Sequence, residues 1–210
     1  QGRRESCPHM SPKDLQRCPW CGTDDLYQRY HDTEWGVPHA DDVKLFEKLV
    51  LEGFQSGLSW ITILRKRENF RKAFHGFAPD RIVRYTDADK MRLLGDEGII
   101  RNRLKIEATI DNAKAYLKLR ERQTLAGFLW GLLDGRAQRN TFVGHKEIPA
   151  QTEASLRLSK ALKKEGFRFV GPTTLYAFMQ SVGMVNDHLV GCHRHTACDK
   201  LQKRFAPPKA

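Results

Sequence analysis

The stretch GFRFVGP at residues 166–172 separates two segments in which apolar residues recur every three or four positions. This spacing predicts a helix over 152–165 and another over 173–182, and the two glycines and the proline predict a turn between them. A short turn before a helix directs backbone amides outward, and the positive end of the helix dipole increases their attraction for a phosphate group. A turn without a ligand is the simpler alternative for the same pattern.

Helical periodicity continues through the rest of the chain. Asp41 and Asp42 are suited to start a helix over 41–54, because acidic side chains cap helices and favour their N-termini. Alternation of apolar and polar residues, which would indicate strands, does not recur along the sequence, and residues 142–148 are predicted as a short strand or a loop. The sequence therefore predicts an all-α fold, with further helices over 58–74, 79–85, 87–94, 100–122 and 125–133.

Length and composition limit what this fold can be. The chain has 210 residues, enough for one core, and its 40% content of hydrophobic residues excludes a disordered protein. There is no run of about 18 apolar residues and no visible secretory signal, so we expect a cytoplasmic monomer without a membrane partner. We expect a flexible segment or expression remnant at 1–16, one folded unit at 17–195 and a flexible tail at 196–210.

The charge balance and the cysteine count narrow the function. The formal net charge is +11, which suits a polyanion such as nucleic acid, although a basic protein without such a partner is equally compatible with charge alone. Five cysteines are an odd number in a chain without a visible signal, so metal ligands or free thiols are favoured over a disulfide framework.

Cysteines and histidines are concentrated near both ends of the chain. Cys18 and Cys21 form a C-x-x-C pair, His31 follows, and His188 and Cys192 form an H-x-x-x-C pair. Two thiolates and two imidazoles suit tetrahedral zinc, and a site of Cys18, His31, His188 and Cys192 would join the N- and C-terminal segments. Cys21 competes with His31 as a ligand, and scattered solvent-facing residues are the alternative. Spare candidates are His193, His195 and Cys198.

A third set combines aromatic residues with one carboxylate. Tyr27, Tyr30 and Trp35 are close in sequence, and Glu52 stands in the apolar run LVLEGF at 49–54 shortly before Trp60. Burial of a carboxylate is costly without a partner, and aromatic faces beside a carboxylate form a receptor for a flat, cationic, hydrogen-bond-donating ring. The alternative is that the aromatic residues belong to the core and Glu52 reaches water.

The three sets together resemble the 3-methyladenine DNA glycosylase I family, within the helix–hairpin–helix glycosylases. The resemblance covers about residues 17–192, in the family's order. Its motifs are RCPW at 17–20, YHDTEWGVP at 30–38, LEGFQSGLSW at 51–60, GIIRNR at 98–103, LSKALKK at 158–164, FVG at 169–171 and VNDHLVGC at 185–192. The extra thiol Cys21 and the residues after Cys192 depart from the family pattern.

The resemblance implies that the unit 17–195 is catalytic and hydrolyses the N-glycosidic bond of 3-methyladenine in double-stranded DNA, releasing the free base and leaving an abasic site. It implies one structural zinc per chain on Cys18, His31, His188 and Cys192. The resemblance also implies that Glu52 is the catalytic-site carboxylate that recognises the base. No lysine stands out as a Schiff-base nucleophile, so no lyase activity is expected, and Asp187 is expected to be structural.

The remaining implied site residues fall into two groups. The walls of the base pocket are expected to be Tyr30 and Trp60, with Tyr27, Trp20 and Trp35 as further candidates. The DNA-binding residues are expected to be Gly57 and Leu58, which would fill the gap in the duplex, and Lys164, Arg168 and Gly171 at the hairpin.

Overall fold

The computed structural model of the protein describes residues 15–208, so nearly all of the predicted segment 1–16 lies outside the described residues. Within 15–208 the chain is predominantly helical, as predicted. The α-helices are α1 Asp25–Thr33, α2 Asp42–Gln55, α3 Trp60–Ala73, α4 Pro79–Ile82, α5 Asp87–Gly95, α6 Arg103–Arg120, α7 Leu125–Gly131, α8 Glu153–Lys164, α9 Pro172–Ser181 and α10 His195–Arg204.

Short elements connect these helices. Single 3-10 turns are found at Pro19–Cys21, His75–Phe77 and His145–Glu147, and the last of these lies in the segment predicted as a strand or a loop. The two strands, β1 Gln138–Arg139 and β2 Val185–Asn186, form a parallel pair in which Gln138 is opposite Val185. The pair lies outside the all-α prediction because two residues are too few to show a period in the sequence.

Helix boundaries differ from the prediction where polar side chains cap the backbone. The α6 helix begins at Arg103 rather than near residue 100, because the Asn102 side chain accepts a hydrogen bond from the Lys105 amide at 3.1 Å. The α1 helix is absent from the predicted set although it has a start signal: the Asp24 carboxylate accepts a hydrogen bond from the Tyr27 amide at 3.0 Å. This short helix carries two aromatic residues of the site, Tyr27 and Tyr30.

Helix α2 is at the centre of the hydrophobic core, in contact with α3, α6, α7 and α9. Its apolar face buries Leu45, Phe46 and Leu49 almost completely, because hydrophobic residues recur there at helical spacing. At the start of α2, the Asp42 carboxylate also accepts hydrogen bonds from the Leu125 and Ala126 amides at 3.0 and 2.9 Å, which caps α7. The helix is therefore fixed along its length before it reaches the site.

The turn between α8 and α9 packs against α2 and α6, and it occupies the place that the sequence predicts. Asn112 of α6 binds the backbone of Arg168 on both sides, accepting from its amide at 2.7 Å and donating to its carbonyl at 3.1 Å. Gly53 of α2 permits the approach, because a Cβ atom there would be 3.2 Å from Cβ of Phe169. The turn is thereby held in one position relative to α2.

The C-terminal segment differs from the predicted flexible tail over 196–204. Helix α10 spans His195–Arg204, Cys198 is fully buried, and Gln202 donates a hydrogen bond to the Gly36 carbonyl at 3.0 Å. The helix carries few large apolar residues, and its buried positions are occupied by Cys198 and by polar Asp199 and Gln202, so hydrophobic periodicity does not reveal it. Among the helices of the described residues, none is both long and apolar enough to cross a membrane.

Candidate active site and metal centre

Aromatic residues from the N-terminal third of the described chain surround a cavity of about 250 Å³. This volume is slightly below the range that accommodates drug-sized ligands, and it suits one small planar ring. The six residues predicted for base recognition all line it: Trp20, Tyr27, Tyr30, Trp35, Glu52 and Trp60. Additional lining residues are Gln55, His145, Ile148, Ala177 and Gln180.

The aromatic rings of the cavity pack against one another. Trp20 makes edge contacts with Tyr27 and Trp35, each with centroids 5.0 Å apart, and Tyr30 is tilted against Trp60 at 5.5 Å. Such packing immobilises the rings and fixes the width of the cavity. The indole nitrogens of Trp20 and Trp60 are buried and have no hydrogen-bond partner among the described protein groups.

Glu52 brings a carboxylate to this wall from the last turns of α2. It is only 4% exposed, its Oε1 is 3.5 Å from the Lys48 ammonium, and its Oε2 is buried without a hydrogen-bond partner. Burial raises the pKa of Glu52 above its usual value, and the neighbouring Lys48 opposes that rise. An acceptor left open in a nearly dry site binds a hydrogen-bond donor strongly.

Lys48 is a site residue that the sequence analysis missed. Its ammonium donates a hydrogen bond to the Tyr30 hydroxyl at 2.7 Å and lies 3.5 Å from the centroid of the Trp60 ring. Burial lowers the pKa of Lys48 to about 8, while Glu52 acts in the opposite direction. The spacing of four residues between Lys48 and Glu52 was a signal for an ion pair, although it did not show that the lysine points inward.

Asp187 lies behind the pocket wall and does not line the cavity. Its carboxylate is 1% exposed or less and accepts hydrogen bonds from the Tyr176 hydroxyl, from Gln180 at 2.8 Å and from Asn140 at 2.7 Å. Because it accepts hydrogen bonds from three side-chain donors, Asp187 supports the wall residue Gln180. The amide Gln180 itself had no signal in the sequence, since it enters the pocket only through the docking of α9.

Cys18, His31, His188 and Cys192 form a buried cluster in which all four ligand atoms lie within 4.8 Å of one another. The chain brings in His31, and not Cys21, as the fourth member: the Cys21 thiol donates to the Cys18 carbonyl at 3.2 Å instead. The pKa of the Cys192 thiol is lowered because Cys18 and both histidines hydrogen bond to its sulfur. The set can therefore supply a thiolate.

The spacing of the cluster fits a tetrahedral zinc ion. Bonds of about 2.3 Å to sulfur and 2.0–2.1 Å to nitrogen separate a sulfur and a nitrogen ligand by about 3.6 Å. The Cys18 sulfur is 3.7 Å from His188 Nδ1, and the Cys192 sulfur is 3.5 Å from His31 Nε2 and 3.6 Å from His188 Nδ1. Donor chemistry and distances thus both agree with zinc.

Neighbouring groups hold the two imidazoles in orientation. His31 Nδ1 is 2.8 Å from the Asp32 carboxylate, and His188 Nε2 is 3.0 Å from the Trp35 carbonyl. Such partners fix the tautomer and the ring direction of a metal-binding histidine. The spare candidates contact other groups: His193 lies 2.9 Å from Asp32, and His195 lies 3.2 Å from the Asn140 carbonyl.

The predicted DNA-binding residues are in two exposed segments that flank α2. Gly57, at a φ of 82°, and Leu58, which is 41% exposed, form the loop after α2. A positive φ at this turn is easily adopted only by glycine. Lys164 ends α8, the Arg168 guanidinium donates to Asp111 at 2.7 Å, and Gly171 caps the start of α9.

Within the described residues, the aromatic cavity, the Glu52 carboxylate in its lining and the neighbouring Cys/His cluster define a candidate ligand-binding site of a helical protein. Comparison with known proteins makes the assignment specific. The family model for methyladenine glycosylase matches residues 20–195. DNA-3-methyladenine glycosylase 1 of Escherichia coli (strain K12) is 51% identical over 179 residues, which are 85% of this chain and 96% of that protein.

Solved structures agree with the sequence comparison. A crystal structure of 3-methyladenine DNA glycosylase I is 52% identical, with a TM-score of 0.84 over 86% of this chain and 100% of that one. A variant of a 3-methyladenine DNA glycosylase I, in complex with 3-methyladenine, is 33% identical with a TM-score of 0.82 over 85% of this chain and 97% of that one. The chain belongs to the methyladenine glycosylase family and is a glycosylase.

Proposed function

We propose that this enzyme excises 3-methyladenine from alkylated double-stranded DNA by hydrolysing the N-glycosidic bond. The observation that carries the proposal is that Glu52, a buried residue whose Oε2 has no hydrogen-bond partner, lines an aromatic cavity of about 250 Å³. A base inside a duplex cannot reach such a cavity, so the nucleotide is flipped out at a cost of a few kcal/mol. Relatives named for this activity support the substrate class.

Recognition follows from the charge of the damaged base. Methylation at N3 makes the ring cationic while it is attached to the sugar, which weakens the glycosidic bond and reduces the need for acid catalysis. Glu52 accepts hydrogen bonds from the amino edge of the adenine, and its negative charge favours the electron-poor ring. Stacking on Trp60 and Tyr30 adds about 1–3 kcal/mol per contact.

The duplex is held by the loop after α2 and by the turn between α8 and α9. Leu58 enters the gap left by the flipped nucleotide, and the amides at the α8–α9 turn, together with the N-terminus of α9, bind a backbone phosphate in the manner of a helix–hairpin–helix. Lys164 and Arg168 add positive charge beside the turn. The formal net charge of +11 supports this mode of binding.

The cluster of Cys18, His31, His188 and Cys192 holds one structural zinc ion. When bound, zinc would cross-link α1 and the segment before it to the segment before α10, and it would supply folding energy rather than catalysis. His31 lies one residue after Tyr30, so the metal also keeps a pocket residue in place.

The test is the release of free base from alkylated duplex DNA. Glu52→Gln keeps the shape and removes the charge, so excision should fall about 10- to 150-fold, from the loss of a charged hydrogen bond of about 1.5–3 kcal/mol. Duplex binding should stay unchanged, and Glu121→Gln, at an exposed site after α6, serves as the matched control. Normal excision by Glu52→Gln would show that the pocket assignment is wrong.

A separate assay addresses the fate of the abasic site. Among the described residues that line the cavity there is no lysine, and Lys48 lies behind the rings of Tyr30 and Trp60. We expect the enzyme to be monofunctional, and an abasic-site duplex incubated with it should remain intact. Efficient β-elimination would contradict this expectation.

A further inference from the structure

Lys48 reaches the pocket from behind its aromatic wall. It does not line the cavity of about 250 Å³ but a neighbouring cavity of about 430 Å³, which shares Tyr30 with the first. Its ammonium lies 3.5 Å from the Trp60 centroid and 4.6 Å from the Tyr30 centroid. The space for a base is therefore already formed with Lys48 in place.

The two oxygens of Glu52 have different surroundings as a result. Oε1 is 3.5 Å from the Lys48 ammonium, whereas Oε2 is buried without a hydrogen-bond partner. An ammonium that attracts one oxygen restricts rotation of the carboxylate and leaves the other oxygen for a ligand. Without this cation, a carboxylate that is 4% exposed would be desolvated with no counter-charge.

The other charges around Lys48 cannot replace it. Glu34, from the end of α1, and Arg67, from α3, both act on the Lys48 ammonium, and they bind each other through two hydrogen bonds of 2.6 and 2.9 Å. From α9, the Ser181 hydroxyl also acts on Glu52 and lowers its pKa, but it carries no charge, and it donates a hydrogen bond of 2.7 Å to the Phe178 carbonyl. Lys48 is thus the cation that acts on Glu52.

We propose that Lys48 is a positioning residue that keeps Glu52 ionised and turns its Oε2 toward the base. The proposal rests on the proposed function, because it assigns the source of the charge that recognises the base. It also assigns the lysine a role that does not require contact with the DNA. Lys48 acts through Glu52 and through the Tyr30 hydroxyl to which it donates.

The direct test is a titration of the Glu52 carboxyl by carbon-13 NMR, with Glu52→Gln to assign the signal. Lys48→Met removes the charge, and its flexible thioether packs well against the aromatic rings. The pKa of Glu52 should rise by about one to three units, the range expected when an opposite charge at this distance is lost. Lys44→Met, one turn earlier on α2 and exposed, should leave it unchanged.

A pKa of Glu52 that stays the same or falls in Lys48→Met would overturn the proposal. Thermal unfolding verifies that the variant is folded, and Lys48→Gln, which removes the charge but keeps a hydrogen-bond donor, provides the same measurement if Lys48→Met does not fold. The pKa of Glu52 should be higher in both Lys48→Met and Lys48→Gln than in wild type.

The pH profile of base release gives a second readout, because loss of a purely structural role of Lys48 would not shift this profile. The acid limb of kcat/KM should shift to higher pH in Lys48→Met by the same amount as the Glu52 titration, and not in Lys44→Met. An unshifted limb in an active variant would contradict the proposal. If the wild type releases no 3-methyladenine, the proposed function fails, while the carboxyl titration still tests Lys48.

Discussion

Lys105 connects the first turn of α6 to the loop that carries Leu58. It is 8% exposed, and its ammonium donates hydrogen bonds to the carbonyls of Phe54 at 2.8 Å and Ser56 at 2.7 Å, where α2 ends. Helix C-termini leave carbonyls without partners, and a cation there also interacts favourably with the helix dipole. We predict that Lys105→Met destabilises the fold and misplaces this loop.

The magnitude follows from these two contacts. A hydrogen bond from a charged donor contributes about 1.5–3 kcal/mol, so the pair amounts to about 3–6 kcal/mol. Part of this is offset because the ammonium is no longer desolvated, and burial alone lowers the pKa of Lys105. The aliphatic part of methionine keeps most of the packing. The expected net loss in the free energy of unfolding is about 2–4 kcal/mol.

Equilibrium urea unfolding measures this loss, with Lys114→Met as a control because Lys114 is an exposed residue of the same helix and its change should stay within about 0.5 kcal/mol. Excision from alkylated duplex DNA should fall, whereas the affinity for free 3-methyladenine should not, since Lys105 does not line the base cavity. A loss below about 1 kcal/mol, or an equal loss of free-base binding, would refute the reasoning.

Two further predictions concern the metal and the pH. Cys18→Ser should reduce the zinc content of the purified protein well below one per chain and lower its melting temperature, and wild type that contains no zinc by elemental analysis would exclude the site. The pKa of Lys48 is lowered to about 8 from its ordinary 10.5, so between these pH values the unfolded chain binds a proton that the folded chain has released. The stability of wild type relative to Lys48→Met should therefore rise across this window, by at most about 3 kcal/mol, in urea unfolding at pH 7.5 and 10.

Much of the fold is visible in the sequence because long amphipathic helices repeat their apolar residues every three or four positions. The segment around Leu45 and Leu49 is predicted almost to the residue for this reason. Helix α10 is not predicted from the sequence, because two of its buried positions are occupied by the polar residues Asp199 and Gln202. Burial of these side chains depends on their particular partners in the fold. Local periodicity carries no information about such partners.

The candidate site also contains residues that the sequence identifies and residues that it does not. Glu52 is identifiable because a carboxylate in an apolar run is costly, and His188 and Cys192 because their spacing suits a metal. The inward direction of Lys48 is not predictable, since lysines usually extend into solvent, and the rings of Trp60 and Tyr30 that favour its burial here come from other helices.

The Cys/His cluster has a consequence for the synthesis of the protein. Cys18 and His188 are 170 residues apart, and ribosomes add about 5–20 residues per second. His188 is therefore synthesised about 9 to 34 s after Cys18. During this time the segment that carries Trp20 and Tyr30 has no anchor at His188 or Cys192. A nascent chain therefore cannot complete the base cavity, and the glycosylase becomes competent only when translation has passed its last ligand.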